Sequence, residues 1–348
     1  MNTLVTGANG QLGCALRLAA LKSHDNWLFT DVCDASQETI AMLRRLGGDA
    51  VDVSTARLDV TDEDAVRKLL RDNEINTVIN GAAYTAVDAA ETHAEEARLL
   101  NVEAPRILAD SVRDLGGLLV HISTDYVFGD GLLREAGSGI RPAGSSDASS
   151  VSLCSDEKIL AARAHLDAPE PWREIDIPNP LGVYGKTKLE GEIAVAASGC
   201  KYMIVRTAWM FSEFGKNFVK TILKLTLEKP QIRVVNDQIG TPTYAQDLAE
   251  TILQIVQKYS RNGIWNYTNY GQCSWYQFAR AIASEAVQTE CRIEPCTTAE
   301  YPTAARRPAW SVLDKSRIAA DFGIVPPAWE DSLRRCLERL GHPSDGTE

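Results

Sequence analysis

Three glycines at intervals of three, Gly7, Gly10 and Gly13, follow directly on the apolar run Leu4-Val5-Thr6. No other feature narrows so far the folds open to this chain. A strand that meets glycine at its end can turn tightly into a helix, and Gly7 permits that turn. Gly10 removes a side chain where backbone must approach a pyrophosphate, and Gly13 lets the helix pack closely on the sheet. Gln11 and Leu12 open the helix, whose unpaired N–H groups and positive dipole end suit a phosphate. The pattern predicts a dinucleotide site built on Gly7, Gly10, Gln11, Leu12 and Gly13.

The next apolar run, Asn26-Trp27-Leu28-Phe29-Thr30-Asp31, ends in a carboxylate eighteen residues after Gly13, where a ribose-binding acid belongs. Asp31 there accepts hydrogen bonds from the 2′- and 3′-hydroxyls of NAD. Its charge opposes the 2′-phosphate of NADP, which predicts a preference for NADH; the plainer reading is a solvated loop carboxylate. Further on, Leu58-Asp59-Val60-Thr61-Asp62 puts Asp59 and Val60 where such folds contact the adenine, with Thr61 or Asp62 as N-cap of the following helix.

Strand and helix patterns alternate through the first half. Ile75 to Asn80, Leu118 to Ser123 and Tyr202 to Thr207 read as apolar strands, separated by charged helical stretches from Glu63 to Asn73 and from Glu91 to Leu115. This alternation predicts an α/β fold, a doubly wound parallel sheet with a smaller C-terminal α/β substrate lobe. In that architecture ligands sit at the carboxyl ends of the strands. The residues to read are therefore Asn80 to Tyr84, Ser123 to Tyr126 and Thr207 to Trp209. Small side chains at Ala82 and Ala83, beside Tyr84, leave space for a nicotinamide ribose. Thr124 is placed to hydrogen-bond a carbonyl or hydroxyl of a substrate. His121 lies inside its strand and reads as a core histidine, and Asn101 as a side chain that holds a loop carbonyl or a water.

Tyr184 and Lys188 stand four residues apart, so a helix puts them on one face. A free phenol has a pKa of roughly 10, and a neighbouring ammonium lowers it by favouring the phenolate. The pair therefore suggests proton transfer, although the same spacing occurs on many solvated helices.

The 348 residues, 45% of them hydrophobic, suffice for one large or two modest domains. A formal charge of −11 argues against nonspecific binding to nucleic acid or anionic membranes. No apolar run approaches the roughly 20 residues that span a bilayer, and the N-terminus reads as strand and glycine loop, so a cytoplasmic protein is expected. The eight cysteines form no CxxC pair and only five histidines accompany them. Reduced thiols and no metal site are expected.

The pattern assigns residues 1–130 and 179–236 to the dinucleotide-binding domain and 237–340 mainly to the substrate lobe. Residues 131–178, with a Gly/Ser/Ala-rich run from Ala136 to Ser150, read as a surface insertion near the active site that holds a short helix from Ser155 to Leu166. A flexible tail is expected over 341–348. The aromatics from Trp265 to Phe278, Trp275 among them, suit either stacking on a nucleobase or a core. Arg306-Arg307-Pro308 offers a guanidinium for a diphosphate, or else a solvated basic pair.

Seven ordered motifs resemble one family: GANGQLG (7–13), NGAAYTAVDAAE (80–91), STDYVFGD (123–130), NPLGVYGKTKLEGE (179–192), RTAWMFSEFGKNFV (206–219), DQIGTPTYAQDLA (237–249) and RRPAWSVLD (306–314). The chain resembles, over nearly its whole length, the dTDP-4-dehydrorhamnose reductases, which are extended short-chain dehydrogenases. The resemblance implies reduction of a nucleotide-linked 4-keto-6-deoxysugar by NADPH or NADH. It implies Tyr184 as the acid that protonates the C4 oxygen, Lys188 as the group that holds the nicotinamide ribose, and Thr124 as the third member. It also implies sugar contacts at Thr124, Asp125 and Trp209, with Trp209 as an apolar wall for the 6-methyl group. An anionic nucleotide sugar needs a local basic or dipolar pocket on so acidic a chain. A homodimer is a further expectation. The magnesium-holding glutamates of some family members correspond to Ala15 and Gln246, so no structural metal is implied. Related 4,6-dehydratases carry an Asp-Glu pair after the threonine, whereas Asp125 is followed here by Tyr126. The alternatives are a reductase of a neighbouring keto-sugar and a non-catalytic regulatory subunit resembling the beta subunit of methionine adenosyltransferase.

Overall fold

Successive residues of the first strand enter different cores. In a computed structural model that describes residues 1–130, 169–288 and 290–342, Val5 of β1 (Asn2–Thr6) packs against helix α1 (Gln11–Ala20), while its neighbour Leu4 packs against α3 (Glu63–Asp72). The alternation repeats along the sheet. Ile79 and Val78 of β4 (Thr77–Asn80), and Val120 and Leu119 of β5 (Leu118–Thr124), divide in the same way. A sheet whose strands are apolar on both faces must be covered on both, and this one is.

The sheet has seven parallel strands. In spatial order they are Gly263–Asn266, β6 (Lys201–Thr207), β5, β4, β1, β2 (Asn26–Asp31) and β3 (Ala56–Arg57). The order reverses between β1 and β4, and that switch point opens a crevice at the strand ends. A doubly wound α/β fold is therefore what the alternation predicted. β1 and β2 match the sequence expectation; β4 begins at Thr77 instead of Ile75.

Three expectations need correction. The helix expected from Glu91 to Leu115 is interrupted: Ala94–Arg98 passes into a π-helical turn, Leu99–Glu103, before Ala104–Asp114. Wide turns of this kind re-aim a side chain, and here Asn101 is buried by it. The dinucleotide-binding domain also does not end at 236. Ala245, Leu248, Ala249, Ile252 and Ile255 recur at helical spacing along Ala245–Gln257, so this helix packs in the same core as α1, and the next strand extends the main sheet beside β6. Finally, Trp172, at the end of the expected surface insertion, is buried. Its indole stacks on Phe128 at 4.6 Å and shares a cluster with Leu313. The rest of that insertion, including the Ser155 to Leu166 helix, and most of the expected tail lie outside the described residues.

A separate apolar cluster, with Phe211, Val219, Ile222, Phe278, Trp329 and Leu333, builds the smaller lobe on the carboxyl side of the sheet. Among the described residues no helix is long and apolar enough to cross a membrane.

Candidate active site

A cavity of about 670 Å3 lies across the carboxyl ends of β1, β2, β4, β5 and β6. Its first wall is the glycine loop. Gly7 has φ +64°, and a Cβ there would stand 2.8 Å from the Ala82 nitrogen; a Cβ on Gly13 would stand 2.4 Å from Ala8 Cα. Neither position accepts a side chain without backbone movement, so the loop lies tight against the strand ends. Gly10 caps α1 with no side-chain bond, and the first turn holds no acid. The positive end of the helix is thus uncompensated by the protein itself. Gly7, Gly10, Gln11, Leu12 and Gly13 all line the cavity.

Asp31 also lines it, at the end of β2. Its Oδ2 accepts a hydrogen bond from the Asn9 nitrogen at 3.0 Å and its Oδ1 one from the Val32 nitrogen at 2.8 Å. Asp59 behaves differently. It is exposed, and it accepts from the nitrogen and hydroxyl of Thr61 at 2.9 and 2.7 Å, bonds that hold its carboxyl below the ordinary value. Leu58 and Val60, on either side of it, line the cavity in its place. Asp62, accepting from the Ala65 nitrogen at 3.0 Å, is the N-cap of α3.

After β4, Ala82, Ala83 and Thr85 line the cavity, whereas Tyr84, expected beside them, does not. Asn101 fixes this loop by three bonds. Its Oδ1 accepts from the Tyr84 nitrogen at 2.8 Å, and its Nδ2 donates to the Tyr84 carbonyl and to Thr187 Oγ1, both at 3.1 Å. The loop carbonyl expected for Asn101 is therefore that of Tyr84. His121 is buried and accepts from Asn80 Nδ2 at 3.1 Å when its Nδ1 is unprotonated; burial holds its pKa well below the ordinary value. It does not line the cavity.

The opposite wall carries Tyr184 and Lys188, one turn apart on the helix Val183–Ala197. Glu91 Oε1 accepts from the Val183 nitrogen at 2.8 Å and so fixes the start of that helix. Burial pushes the Tyr184 phenol up to about 12, against the lowering effect of its bond with the Thr124 hydroxyl. Lys188 donates to the Ile122 carbonyl at 2.6 Å, and burial lowers it to about 8 while Glu192 acts in the opposite sense. The expectation that the ammonium lowers the phenol is thus overturned. Lys188 is occupied at a backbone carbonyl, and desolvation governs Tyr184. Thr124 also donates to Asp125 Oδ1 at 3.0 Å, and burial raises Asp125 to about 7. Tyr126 meets Tyr184 edge-on at 5.6 Å.

Trp209 lines the far end with Trp275, a residue left unresolved between core and ligand contact by sequence alone. Lys216, inside the 206–219 motif but not named there as a site residue, also lines the cleft, and it faces a second groove of about 930 Å3 between α2 (Gln37–Gly47) and the helix Phe218–Glu228. None of the candidate catalytic residues reaches that groove. Arg307 stands outside the cavity lining. Its guanidinium engages Asp88 through two bonds, 2.7 and 3.1 Å, and also bonds to Tyr126, behind the site. Among the described residues no group of His, Cys, Asp and Glu could hold a metal ion.

The family described as "RmlD substrate binding domain" matches residues 1–342. The chain belongs to this family. It is 35% identical over 341 residues to the dTDP-4-dehydrorhamnose reductase of Aggregatibacter actinomycetemcomitans, covering 95% of this chain and 96% of the relative. Two solved structures of the same family agree closely. A dTDP-4-dehydrorhamnose reductase from Clostridium acetobutylicum superposes with a TM-score of 0.77 at 35% identity, covering 98% of this chain and 100% of the other. The Bacillus anthracis reductase in complex with NADP gives 0.72 at 30% identity, covering 97% and 99%. Membership in the RmlD family thus rests on the whole length of the chain, both lobes included.

Proposed function

We propose that the protein reduces dTDP-4-dehydro-β-L-rhamnose to dTDP-β-L-rhamnose with NADPH or NADH, the last step in making that nucleotide sugar. One observation carries the reading: Thr124, Tyr184 and Lys188 share a single cavity with the glycine loop. The residues present fit a dinucleotide, because Gly10 leaves the entrance of α1 without a side chain where a diphosphate would approach, Gly7 and Gly13 let the loop close tightly on the strand ends, and the first turn of α1 carries no competing acid. When bound, the cofactor supplies the hydride that C4 receives.

The chain's own residues do the rest. A phenol near 12 is protonated at neutral pH, so Tyr184 holds the proton that the C4 oxygen needs as it becomes a hydroxyl. Thr124 bonds to the same oxygen and orients it. Lys188 keeps an ammonium within reach of the nicotinamide ribose and of the phenol once its proton has left. Asp31 takes the adenosine ribose, and its charge favours NADH over NADPH. Trp209 forms the apolar wall for the sugar's methyl group, and Asp125 the polar edge beside Thr124. For Arg307 we propose a supporting role, ordering Tyr126 through its bonds to Asp88 and the phenol. The reaction is assigned to the cytoplasm, in keeping with free thiols at all seven cysteines among the described residues.

The test is oxidation of NADH and NADPH in the presence of the 4-keto-sugar nucleotide, with the product identified by NMR. Formation of dTDP-β-L-rhamnose is the expected outcome. Cofactor binding without turnover, or a C4 epimer as product, sinks this assignment.

A further inference from the structure

Trp209 is one of three residues other than glycine with positive φ among the described residues, at +47°. For a bulky side chain that conformation is an outlier, and it persists only where the surroundings over-determine it. Two contacts do so here. The Trp275 indole stacks on the Trp209 indole with centroids 3.6 Å apart and planes 10° from parallel. Gly240 meets the same indole at its benzene ring: a Cβ at Gly240 would lie 2.5 Å from Trp209 Cε2 and 2.7 Å from Cζ2.

Both contacts come from one piece of structure. The strands Ile239–Gly240 and Cys273–Ser274 pair antiparallel, Cys273 opposite Gly240, and Trp275 follows directly as the first residue of the helix Trp275–Glu285. A capping box at Ser274 and Gln277 fixes the start of that helix, and Phe218 packs on Trp275 at 4.6 Å. The backbone of Trp209 is tied as well, since its carbonyl accepts from the Thr243 nitrogen at 3.2 Å. An indole bounded by a rigid ladder in this way cannot rotate freely, and the ladder rather than the segment of Trp209 itself sets its orientation.

We propose that Trp275 is a positioning residue: by stacking on Trp209 it fixes the apolar wall that the deoxysugar meets, so that the ladder of Gly240 and Trp275 sets how the sugar sits against Tyr184. This rests on the functional reading above. It makes the wall a two-indole device in which Trp209 is the face the sugar meets and Trp275, at the rim of the same cavity, acts through it.

The experiment is a double-mutant cycle with Trp209→Ala, Trp275→Ala and the pair, reading KM for the keto-sugar nucleotide, kcat and the dissociation constant of NADH. Trp275→Ala is expected to raise the sugar KM about 10-fold, within the coupling range of contacting residues, and to leave NADH affinity unchanged. In the double variant KM is expected to match that of Trp209→Ala. Trp275→Phe, which keeps a stacking ring, restores most of the loss. Gly240→Ala, with Trp275 intact, raises the sugar KM because its Cβ displaces the same indole; together with Trp275→Phe it carries the test should Trp275→Ala fail to fold. Additive losses mean that Trp275 binds the sugar nucleotide directly, and an unchanged KM means that the stack is only structural; either result overturns the proposal. Wild-type protein without turnover overturns the functional reading and this one with it, whereas an active wild type with an unaltered Trp275→Ala KM overturns this one alone.

Discussion

Tyr184 and Lys188 stand one turn apart on a single helix, whereas Trp209 and Trp275 belong to distant segments and meet through a strained backbone and a two-stranded ladder. The first wall of the cleft is local in sequence and buries titratable groups. The second is assembled by tertiary contacts and is apolar. The difference teaches where this protein stores its costs: chemistry is held by desolvated phenol, ammonium and carboxyl groups, and shape is held by backbone strain and stacking.

The largest test of that division is Tyr184→Phe. Removing the proposed proton donor while keeping the ring is expected to lower kcat by about 10² to 10⁴, with NADH affinity unchanged in a fluorescence titration. A variant that still turns over at the wild-type rate breaks the assignment of the chemistry to this wall.

Asp125→Asn asks whether the polar wall is costly to the fold. Asp125 is raised from 3.8 to about 7 by burial. Between those values the folded state binds the extra proton, so stability falls as pH rises through the window and the loss is complete above about 7. The asparagine variant is therefore expected to be more stable than wild type at pH 8, by up to about 4 kcal/mol, and indistinguishable below about pH 4. Urea unfolding at the two pH values measures both. Equal stability at both would mean that the carboxylate is compensated in the fold.

Lys188 gives the mirror case. Burial lowers it from 10.5 to about 8, so between those values the unfolded state holds the extra proton and stability rises with pH. Lys315, buried and also lowered to about 8, adds a similar rise. Lys188→Met should remove its own share, about 3 kcal/mol at most, and leave that of Lys315. A stability profile from pH 8 to 10.5 identical to wild type would show that Lys188 keeps its charge in the fold with an unshifted pKa.

The same contrast explains what the sequence made legible. Glycine spacing picked out the tight loop at the cavity, strand ends picked out Asp31 and Thr124, and helical spacing put Tyr184 and Lys188 on one turn, because each depends on a local period. The bond from Lys188 to the Ile122 carbonyl, the stack of Trp275 on Trp209 and the return of Gly263–Asn266 to the main sheet depend on packing between remote segments, and no local period encodes them. The π-helical turn at Leu99–Glu103 is a case between the two. Its residues are helix formers and read as an unbroken helix, yet the three bonds that Asn101 makes to the Tyr84 loop and Thr187 fix a wider turn.

The smallest effect separates two carboxylates that sequence spacing placed together at the adenosine end. Asp31 lines the cleft; Asp59 is exposed, accepts two bonds from Thr61 and leaves the cavity wall to Leu58 and Val60. Asp59→Ala loses only a local turn outside the cavity lining, so the KM for NADH should move by no more than about 2-fold, about 0.4 kcal/mol. Asp31→Ala removes the proposed ribose acceptor and its charge together, and should weaken NADH while improving NADPH, which reverses the proposed cofactor preference. If instead Asp59→Ala weakens NADH as strongly as Asp31→Ala, its carboxylate turns away from Thr61 to meet the adenine, and the sequence expectation describes that end of the cleft better than the observed geometry does.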